Sequence, residues 1–520
     1  MHLGHLIERN ARLYPDKVAF IGAERRTTFR EHSERVYRLV NALDRWGIGS
    51  GERVAVLAKN RPEYLEVYGV AECGGRIIVP LNFRLVPREL QYIIRDSGAS
   101  VLIVEGAFLE TIEQVRDELP DVKHYIAFEG AAGRPAGSWL DYESLLESSD
   151  ATAPRIEIDP DSVAYLMYTS GTTGLPKGVM LTHRGNLENA KSLLIELRMH
   201  PHDIHLAVMP LFHVGGRGFP LLHFYRGCTT VLMRDFDPLE FLTVIEREKV
   251  TTLQVVPTML SFLLDTVGFQ QRDLSSLRSI FYASAPMPRE LLVRALDAFG
   301  PIFAQGYGLT EAGPLVTFLD PAYHSTRDER SFRRLASAGL PAINVECRVV
   351  DDHGEAVKPG EIGEIIAKSE FTMWGYWRRP EETANKLRDG WLYTGDLATI
   401  DEDGFVYVVD RKDDMIITGG ENVYPREVEE ILYQHPAVLE AAVIGVPDEI
   451  WGQSIKAFVV LRASASASEE QLIAHCKERL ASYKKPKSVE FCDALPKNPA
   501  NKVLRRELRA RHDRTIKPQN

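Results

Sequence analysis

The sequence predicts an α/β fold with a large first part of parallel αβ layers, a β-rich region after it and a small α+β part at the end. Apolar strand-like runs alternate with helical patterns over residues 17–104, which favours parallel sheets covered on both faces. A β-rich region begins at residue 362 and ends near residue 396. Two more strand-like runs, 441–446 and 455–461, flank a polar turn near the end of the chain.

The bulk composition excludes several classes of protein. The 520 residues are enough for roughly three domains. A formal net charge of −11 would repel nucleic acids on average, so we expect no nucleic-acid partner. Five cysteines without a C-x-x-C pair fit a reducing cytosol and no structural zinc. No apolar stretch approaches the ~20 residues of a membrane span, so we expect a cytoplasmic protein without an integral membrane segment. Peripheral contact with a membrane stays open.

The individual elements of the first part follow from pattern and capping. An amphipathic helix runs through Leu13, and Thr28 is placed to cap a helix over 29–46. Residues 129–154 are rich in Gly, Ala, Ser and Pro, which predicts a surface connection. Between these segments the pattern predicts strands over 53–58, 77–80 and 101–104 and helices over 63–72 and 87–95.

A glycine- and hydroxyl-rich stretch, residues 168–178, follows a buried strand-like run over 163–167. Glycine lets the backbone approach phosphate oxygens, hydroxyls add neutral donors, and Lys177 adds a positive charge. The stretch is not a Walker A loop, because Lys177 follows Pro176 and precedes Gly178. It predicts a phosphate-binding loop made of Thr169, Ser170, Gly171, Thr172, Thr173, Gly174 and Lys177.

More motifs follow in the chain. Residues 305–311 contain a Gly-x-Gly without the third glycine of a dinucleotide fingerprint. Residues 391–396 end in a carboxylate after a tight turn, which suits the two hydroxyls of a ribose. Residues 409–417 contain a cluster of charged side chains between two apolar runs. Residues 418–425 contain two glycines, and residues 495–505 form a terminal loop with lysines.

Taken together and in this order, the motifs resemble those of the adenylate-forming enzymes, the superfamily of acyl-CoA synthetases, adenylation domains and firefly-type luciferases. The resemblance implies that Tyr307 stacks on adenine, Thr310 touches the α-phosphate and Glu311 holds Mg²⁺. It also implies that Asp396 binds the ribose and Arg411 binds ribose or phosphate. The remaining nucleotide contacts that it implies are Ser284, Ala285, Pro286, Gln305, Gly306 and Gly308.

The resemblance also implies the domain organisation. It predicts an AMP-binding domain over 1–410 with the acyl pocket, a hinge over 411–413, and a small mobile domain over 414–520. Asp413 matches the hinge residue whose backbone torsions change when the small domain rotates, and Lys502 matches the adenylation lysine. Asn501 stands where the family has glycine, and it can adopt a left-handed turn. The predicted contacts of CoA are Gly419, Gly420 and Trp451.

The acyl pocket is predicted from the segment at 210–216, which the resembled family uses for this purpose. Amino-acid-activating relatives carry an Asp in this segment, and its absence tells against an amino-acid substrate. Gly215 and Gly216 leave space for a bulky or long apolar acid. Arg217 either meets a second carboxylate or faces solvent. The predicted pocket residues are His213, also assigned to catalysis, Val214, Gly215, Tyr282 and Gly306.

The implied activity is that of an AMP-forming acid–CoA ligase, with ATP and CoA as co-substrates and Mg²⁺ as cofactor. A carboxylic acid and ATP give acyl-AMP and pyrophosphate, and CoA then gives acyl-CoA and AMP. The acid is a medium- or long-chain fatty acid or an aryl acid. The sequence leaves open whether the protein forms a homodimer. Three alternatives remain: transfer to a carrier protein, a luciferase-like oxygenase, and a catalytically silent nucleotide-binding protein. The full set of Lys502, Glu311, Asp396 and Arg411 disfavours the last.

Overall fold

The computed structural model describes residues 1–130, 138–169, 175–418, 421–448, 450–463, 465–497 and 503–516, and only the backbone of Asp413 and of residues 514–516. Up to residue 411 the strands are β1 Val18–Ile21, β2 Arg26–Thr28, β3 Arg53–Leu57, β4 Ile77–Pro80, β5 Val101–Val104, β6 His124–Ala127, β7 Leu140–Asp141, β8 Val163–Thr169, β9 Lys177–Thr182, β10 Ile204–Ala207, β11 Thr229–Leu232, β12 Thr252–Val255, β13 Ser279–Tyr282, β14 Phe303–Tyr307, β15 Thr317–Leu319, β16 Leu340–Pro341, β17 Glu346–Val350, β18 Gly363–Lys368, β19 Gly375–Tyr376, β20 Leu387–Arg388, β21 Trp391–Ile400 and β22 Val406–Arg411.

The helices of the same part are α1 Gly4–Leu13, α2 Phe29–Arg45, α3 Pro62–Gly74, α4 Pro87–Ser97, α5 Leu109–Glu113, α6 Tyr142–Glu147, α7 His183–Glu196, α8 Val214–Arg226, α9 Pro238–Glu248, α10 Pro257–Leu264, α11 Arg289–Phe299, α12 Glu329–Arg334 and α13 Pro380–Lys386. Beyond residue 411 lie strands β23 Ile416–Thr418, β24 Glu421–Val423, β25 Val438–Asp448, β26 Gly452–Leu461 and β27 Ser488–Phe491, and helices α14 Pro425–Tyr433, α15 Glu469–Lys477 and α16 Arg505–Ile516.

Two large sheets form the body of the first part. One has the strand order β19-β9-β8-β4-β3-β5-β6-β7, and the other has the order β16-β15-β14-β13-β12-β10-β11-β1-β2. Their central strands are parallel, as the sequence predicts, and antiparallel strands close the edges at β9, β19, β15, β16 and β2. A third sheet, β17-β18-β21-β20 with β22 paired to β21, is the predicted β-rich region.

The local signals in the sequence explain several elements. Thr28 caps α2, as predicted, and the structure adds a capping box with Glu31. Every residue of α3 is buried, because this helix packs among α1, α2 and the strands β4 and β8 rather than at the surface. The predicted strands over 77–80 and 101–104 have the same bounds in the structure. Within the described residues, no helix is both long and apolar enough to cross a bilayer.

The prediction of a surface connection over 129–154 is wrong for its second half. Residues 140–147 form β7 and α6, and Tyr142 of α6 is fully buried. Its hydroxyl donates to Glu66 Oε2 at 2.8 Å, and Arg35 of α2 forms an ion pair with Glu143. The polar composition gives no signal for this helix, because only a few of its side chains are buried.

The last part of the chain forms its own sheet. The order is β24-β23-β26-β25, with β27 paired in parallel to β26, and α14, α15 and α16 accompany it. Among the described residues, no strand of this sheet pairs with a strand from the first 411 residues. Buried apolar side chains such as Val428, Leu432 and Phe458 give the unit its own core. The predicted small α+β part is confirmed.

Candidate active site

The ends of the predicted phosphate loop are held together by a β-hairpin. Thr169, at the end of β8, pairs with Lys177 at the start of β9. The intervening loop residues named above, Ser170 to Gly174, lie outside the described residues. Lys177 Nζ forms an ion pair with Glu382 of α13 and lies 5.3 Å from the centroid of the Tyr376 ring. The lysine is therefore fixed at one end of the loop by a carboxylate and an aromatic face.

Glu311 is the second charged group of this region. It lies in a 3-10 turn, Thr310–Ala312, directly after β14. Tyr376 donates its hydroxyl to Glu311 Oε1 at 2.9 Å, and Met373 N donates to the Glu311 carbonyl at 2.8 Å. Burial raises the pKa of Tyr376, so its hydroxyl stays a donor. Tyr376 thus links Glu311 to Lys177, and sequence analysis missed it; the signal was the aromatic run at 374–377.

The predicted ribose group is assembled across two neighbouring strands. Asp396 of β21 lies opposite Arg411 of β22. Tyr307 at the end of β14 donates its hydroxyl to Asp396 Oδ2 at 2.7 Å. Arg411 Nε lies 3.2 Å from Asp396 Oδ1, yet this buried nitrogen has no hydrogen-bond partner in the described part of the chain. A buried donor without an acceptor suits a site that receives one from a bound ligand.

The other predicted nucleotide contacts lie around the same strand ends. Ser284 to Pro286 follow β13, and Gln305 and Gly306 lie in β14. Thr310 is 9% exposed at the turn that carries Glu311. A side chain at Gly308 would collide with the carbonyl of Pro314, so only glycine fits this close backbone approach. Lys177, Ser284 to Pro286 and Thr310 with Glu311 therefore lie at or just beyond strand ends of the two large sheets, and Tyr307 connects them to Asp396 and Arg411 of the third sheet.

Ser284 adopts a left-handed backbone conformation, with φ = 72°. Replacing it with glycine removes strain of about 1–2 kcal/mol, against about 0.4–1 kcal/mol for the greater freedom of the unfolded chain. We expect Ser284→Gly to raise the free energy of unfolding by about 0.5–1 kcal/mol. Denaturant unfolding checks this, with Asn344→Gly as the control. Asn344 has φ = 66°, but asparagine tolerates this region, so no gain is expected there. Equal gains at both positions would contradict the strain at Ser284.

His213 caps α8. Its Nδ1 accepts a hydrogen bond from Gly215 N at 3.2 Å. Burial lowers the pKa of His213 to about 4, so the ring is neutral near pH 7. With Nδ1 acting as acceptor, the proton of the neutral ring is on Nε2. His213 can therefore donate a hydrogen bond to a carboxylate without carrying charge.

The predicted acyl-pocket residues are only partly brought together. A Cβ at Gly215 would lie 3.1 Å from Gln254 Nε2, and a Cβ at Gly306 would lie 2.5 Å from the Phe281 ring. Gly215 at the start of α8 therefore faces Gln254 of β12, and Gly306 of β14 faces Phe281 of β13; Gln254 and Phe281 were not predicted as site residues. Their signal was the alternation along β12 and β13.

The predicted roles of Tyr282 and Gly216 in the acyl pocket agree less well with their contacts. Tyr282 is fully buried beside Phe281 in sequence, so it points to the opposite face of β13, where its hydroxyl pairs with His324 Nε2 at 3.0 Å. Gly216 does not widen the pocket, because a side chain there would collide with the Pro210 carbonyl. The contacts of Tyr282 therefore do not favour its predicted place in the acyl pocket.

Arg217 is neither solvent-facing nor free for a second substrate carboxylate. It is 5% exposed and forms an ion pair with Glu72 of α3. It also donates to the Tyr165 hydroxyl at 3.2 Å and lies 4.7 Å from the Tyr68 ring centroid. The interpretation as a surface arginine is wrong, because a buried carboxylate inside the protein compensates its charge.

The predicted hinge joins the two parts through buried charges. Asp410, the last residue before it, accepts from Arg426 N at 2.8 Å, and Arg505 of α16 lies 4.0 Å away. Arg505 also pairs with Asp414 at 3.2 Å and Glu429 at 2.8 Å. The side chain of the predicted pivot Asp413 lies outside the described residues, as does the whole of Lys502.

The predicted CoA segments lie side by side. Thr418 pairs with Gly452, which brings the start of the 418–425 motif against the turn before β26. Trp451 in that turn is 54% exposed. Gly419 and Gly420 lie outside the described residues.

Burial raises the pKa of Asp410 to about 6, despite the backbone N–H groups of Arg411 and Arg426. Because this folded pKa lies above the unfolded value, its stability contribution is complete below pH ~4 and is lost as the pH rises through ~6. We expect the stability of the wild type relative to Asp410→Asn to fall by about 2–3 kcal/mol over that window. Thermal unfolding of both proteins from pH 4 to 7.5 measures it. A difference that does not vary with pH would contradict it.

Comparison with known proteins identifies the family. A family model described as "AMP-binding enzyme" matches residues 7–377, and one described as "AMP-binding enzyme C-terminal domain" matches residues 427–502. The chain belongs to the adenylate-forming family of AMP-binding enzymes. A "Feruloyl-CoA synthase" from Amycolatopsis sp is 42% identical over 98% of this chain and 99% of that protein. A "Fatty acid--[acyl-carrier-protein] ligase ScoC" from Streptomyces coeruleorubidus is 37% identical over 96% of this chain and 94% of that protein.

Among solved structures, the anthranilate CoA ligase AuaEII in complex with anthranoyl-AMP has a TM-score of 0.90 and 33% identity, covering 98% of this chain and 97% of that one. The fold class and the family predicted from the sequence are both confirmed. So is the predicted activity class: this adenylate-forming protein is an AMP-forming acid–CoA ligase, an acid–thiol ligase that uses ATP.

Proposed function

We propose that this acid–CoA ligase activates an aryl acid. The observation that carries the proposal is the aromatic layer beside the pocket residues. Phe219 of α8 and Phe281 of β13 have ring centroids 4.9 Å apart, and Phe318 stacks on Phe281 at 6.4 Å. All three side chains are buried. The Phe281 ring closes the space beside Gly306, where a Cβ would lie 2.5 Å from it, which disfavours an extended alkyl chain; the aromatic layer would favour stacking with a flat substrate ring.

The relatives support an aryl acid as well. The names "Feruloyl-CoA synthase" and "anthranilate CoA ligase" are those of ligases of aromatic acids. The alternative is a medium- or long-chain fatty acid, which the names of other relatives support. A long chain would require the Phe219 and Phe281 rings to move apart.

In the first step the substrate carboxylate attacks the α-phosphorus of ATP and pyrophosphate leaves. A carboxylate needs this activation because its own leaving group would be oxide, whereas AMP leaves readily. We assign His213 Nε2–H to orient the carboxylate and Lys177 with its loop to hold the phosphates. Asp396 and Arg411 hold the ribose, and Lys502 neutralises the charge that develops. Positioning and charge neutralisation are most of what a protein contributes to phosphoryl transfer.

Mg²⁺ fits the residues present. Glu311 Oε1 accepts from Tyr376, and Oε2 accepts no hydrogen bond from the described residues, so one oxygen is available to a cation. Among those residues, no group of three His, Cys, Asp or Glu side chains could hold a metal ion alone. One carboxylate shared with phosphate oxygens is the usual setting for Mg²⁺. When bound, the ion would neutralise phosphate charge, and Glu311 would hold it.

In the second step the CoA thiol attacks the acyl carbon and AMP leaves. The 418–425 motif and Trp451 are the proposed path of the pantetheine arm, and their pairing through Thr418 and Gly452 supports this. A domain over 1–410, a hinge over 411–413 and a mobile domain over 414–520 would let Lys502 withdraw before the thiol enters. Cytoplasmic location and a homodimer stay predictions.

The deciding experiment is pyrophosphate release across a panel of acids with and without CoA. The panel contains cinnamic and benzoic acids, octanoic and palmitic acids, and a dicarboxylic acid. We expect kcat/KM to be highest for an aryl acid and the thioester to form only with CoA. Higher values for palmitic acid would overturn the proposal. Replacing CoA by a phosphopantetheinylated carrier protein tests the alternative acceptor, and oxygen consumption tests an oxygenase.

A further inference from the structure

Gln254 lies on the face of β12 that α8 covers. Thr252, two residues earlier on the same face, pairs with His223 of α8 at 2.8 Å. Gln254 Nε2 lies 3.1 Å from the point where a Cβ at Gly215 would be, and that point is 3.6 Å from His213 Nδ1. The amide therefore lies at the start of α8, among the residues that the acyl pocket shares with the carboxylate donor His213.

The side chain of Gln254 is mostly buried, and its amide has no hydrogen-bond partner among the described residues. The side chain is 5% exposed, and within the described part of the chain nothing donates to it or accepts from it. Its register neighbour on β13 is Phe281, which offers no polar atom. Neither amide atom is among the described side-chain atoms that are fully shielded from solvent without a partner, so the amide keeps some accessible surface that a ligand can reach.

Asn60 shows how this fold treats a buried amide with a structural role. It is 3% exposed and donates to the carbonyls of Met209 at 3.0 Å and Met233 at 3.1 Å. Its Oδ1 accepts from Leu211 N at 2.9 Å. All of these partners are backbone groups that tie strand ends together. Gln254 has none of them, so its amide is available to solvent or to a bound ligand.

We propose that Gln254 is a specificity-determining residue of the acyl pocket, whose amide hydrogen-bonds a hydroxyl or amino group on the ring of the aryl acid. The inference rests on the proposed function, because it takes the acid to be aromatic. A carboxamide donates and accepts, so it can pair with a hydroxyl in either direction. A bound unsubstituted ring or alkyl chain shields the amide from water without offering it a hydrogen bond, and this penalty separates the substrates.

The test compares cinnamic acid with 3-hydroxycinnamic, 4-hydroxycinnamic and 4-aminocinnamic acids in the wild type, Gln254→Leu and Gln254→Met. The readout is kcat/KM for pyrophosphate release. We expect the wild type to prefer at least one substituted acid by about 10- to 100-fold, the equivalent of the cost of an unpaired amide. In both variants the ratio should fall to within about threefold, with a loss for the substituted acid and a gain for cinnamic acid.

Gln271→Leu is the matched control, since this glutamine is exposed in the 3-10 helix Phe269–Gln271; its substrate ratio should equal that of the wild type. The thermal midpoint of Gln254→Leu should be unchanged, because the substitution removes no hydrogen bond among the described residues. An unchanged ratio in Gln254→Leu, equal losses for all acids, or a lower midpoint in both variants would overturn the inference. Turnover of fatty acids without turnover of any aryl acid would instead overturn the proposed function. Aryl turnover in the wild type without preference for a substituent would overturn the inference alone.

Discussion

Lys502→Ala is expected to slow adenylate formation by about 10²–10³-fold and to retain thioester formation from preformed acyl adenylate. Lys502 is the proposed donor to the phosphates when pyrophosphate leaves, and the second step involves no pyrophosphate. The first half-reaction is measured by exchange of labelled pyrophosphate into ATP. The second is measured by thioester formation from synthetic acyl-AMP and CoA.

Lys497→Ala provides a matched control five residues away. Lys497 forms an ion pair with Glu440 of β25 and is assigned no role in either step. Removing it loses at most the ~1 kcal/mol of a partly exposed ion pair, which affects folding rather than chemistry. Both half-reactions should proceed at wild-type rates in this variant. Equal losses in both half-reactions of Lys502→Ala would contradict a lysine that serves only the first step.

The sequence predicted those features of the fold that depend on neighbouring residues. The cap at Thr28, the fully apolar strands β4 and β5, and the alternation of strands and helices are all present in the structure. Local pattern failed where burial involves few side chains. Helix α6 lies in the predicted surface connection, and only Tyr142 and Leu146 of its six residues are buried, so it has no apolar periodicity to indicate a helix.

For the candidate site as well, local motifs predict some residues and not others. Tyr307, Asp396 and Arg411 belong to short motifs, and the structure brings them together. Arg217 could not be placed from sequence, because its partner Glu72 is on a helix 145 positions away. Tyr376, Glu382 and Gln254 were missed for the same physical reason. Their significance comes from contacts across the fold rather than from the residues beside them.

Neutralising the two carboxylates near Lys177 is expected to have opposite effects. Glu311→Gln should lower kcat by about 10²–10³-fold, because the amide keeps the shape of the side chain and its bond to Tyr376 but loses the charge that would hold Mg²⁺. The Mg²⁺ concentration for half-maximal rate should rise as well. Pyrophosphate release at several Mg²⁺ concentrations measures both. A wild-type kcat in this variant would contradict the assigned role of Glu311.

Glu382→Gln is the counterpart of that variant. Glu382 holds Lys177 in an ion pair, and both side chains are about one-quarter to one-third exposed. The phosphates of ATP have to compete with Glu382 for the lysine, and such a pair contributes about 0.2–1 kcal/mol. Removing its charge should therefore lower KM for ATP by up to about fivefold. A raised KM would show instead that Glu382 positions Lys177 for the phosphates, since the same contact would then assist binding and not oppose it.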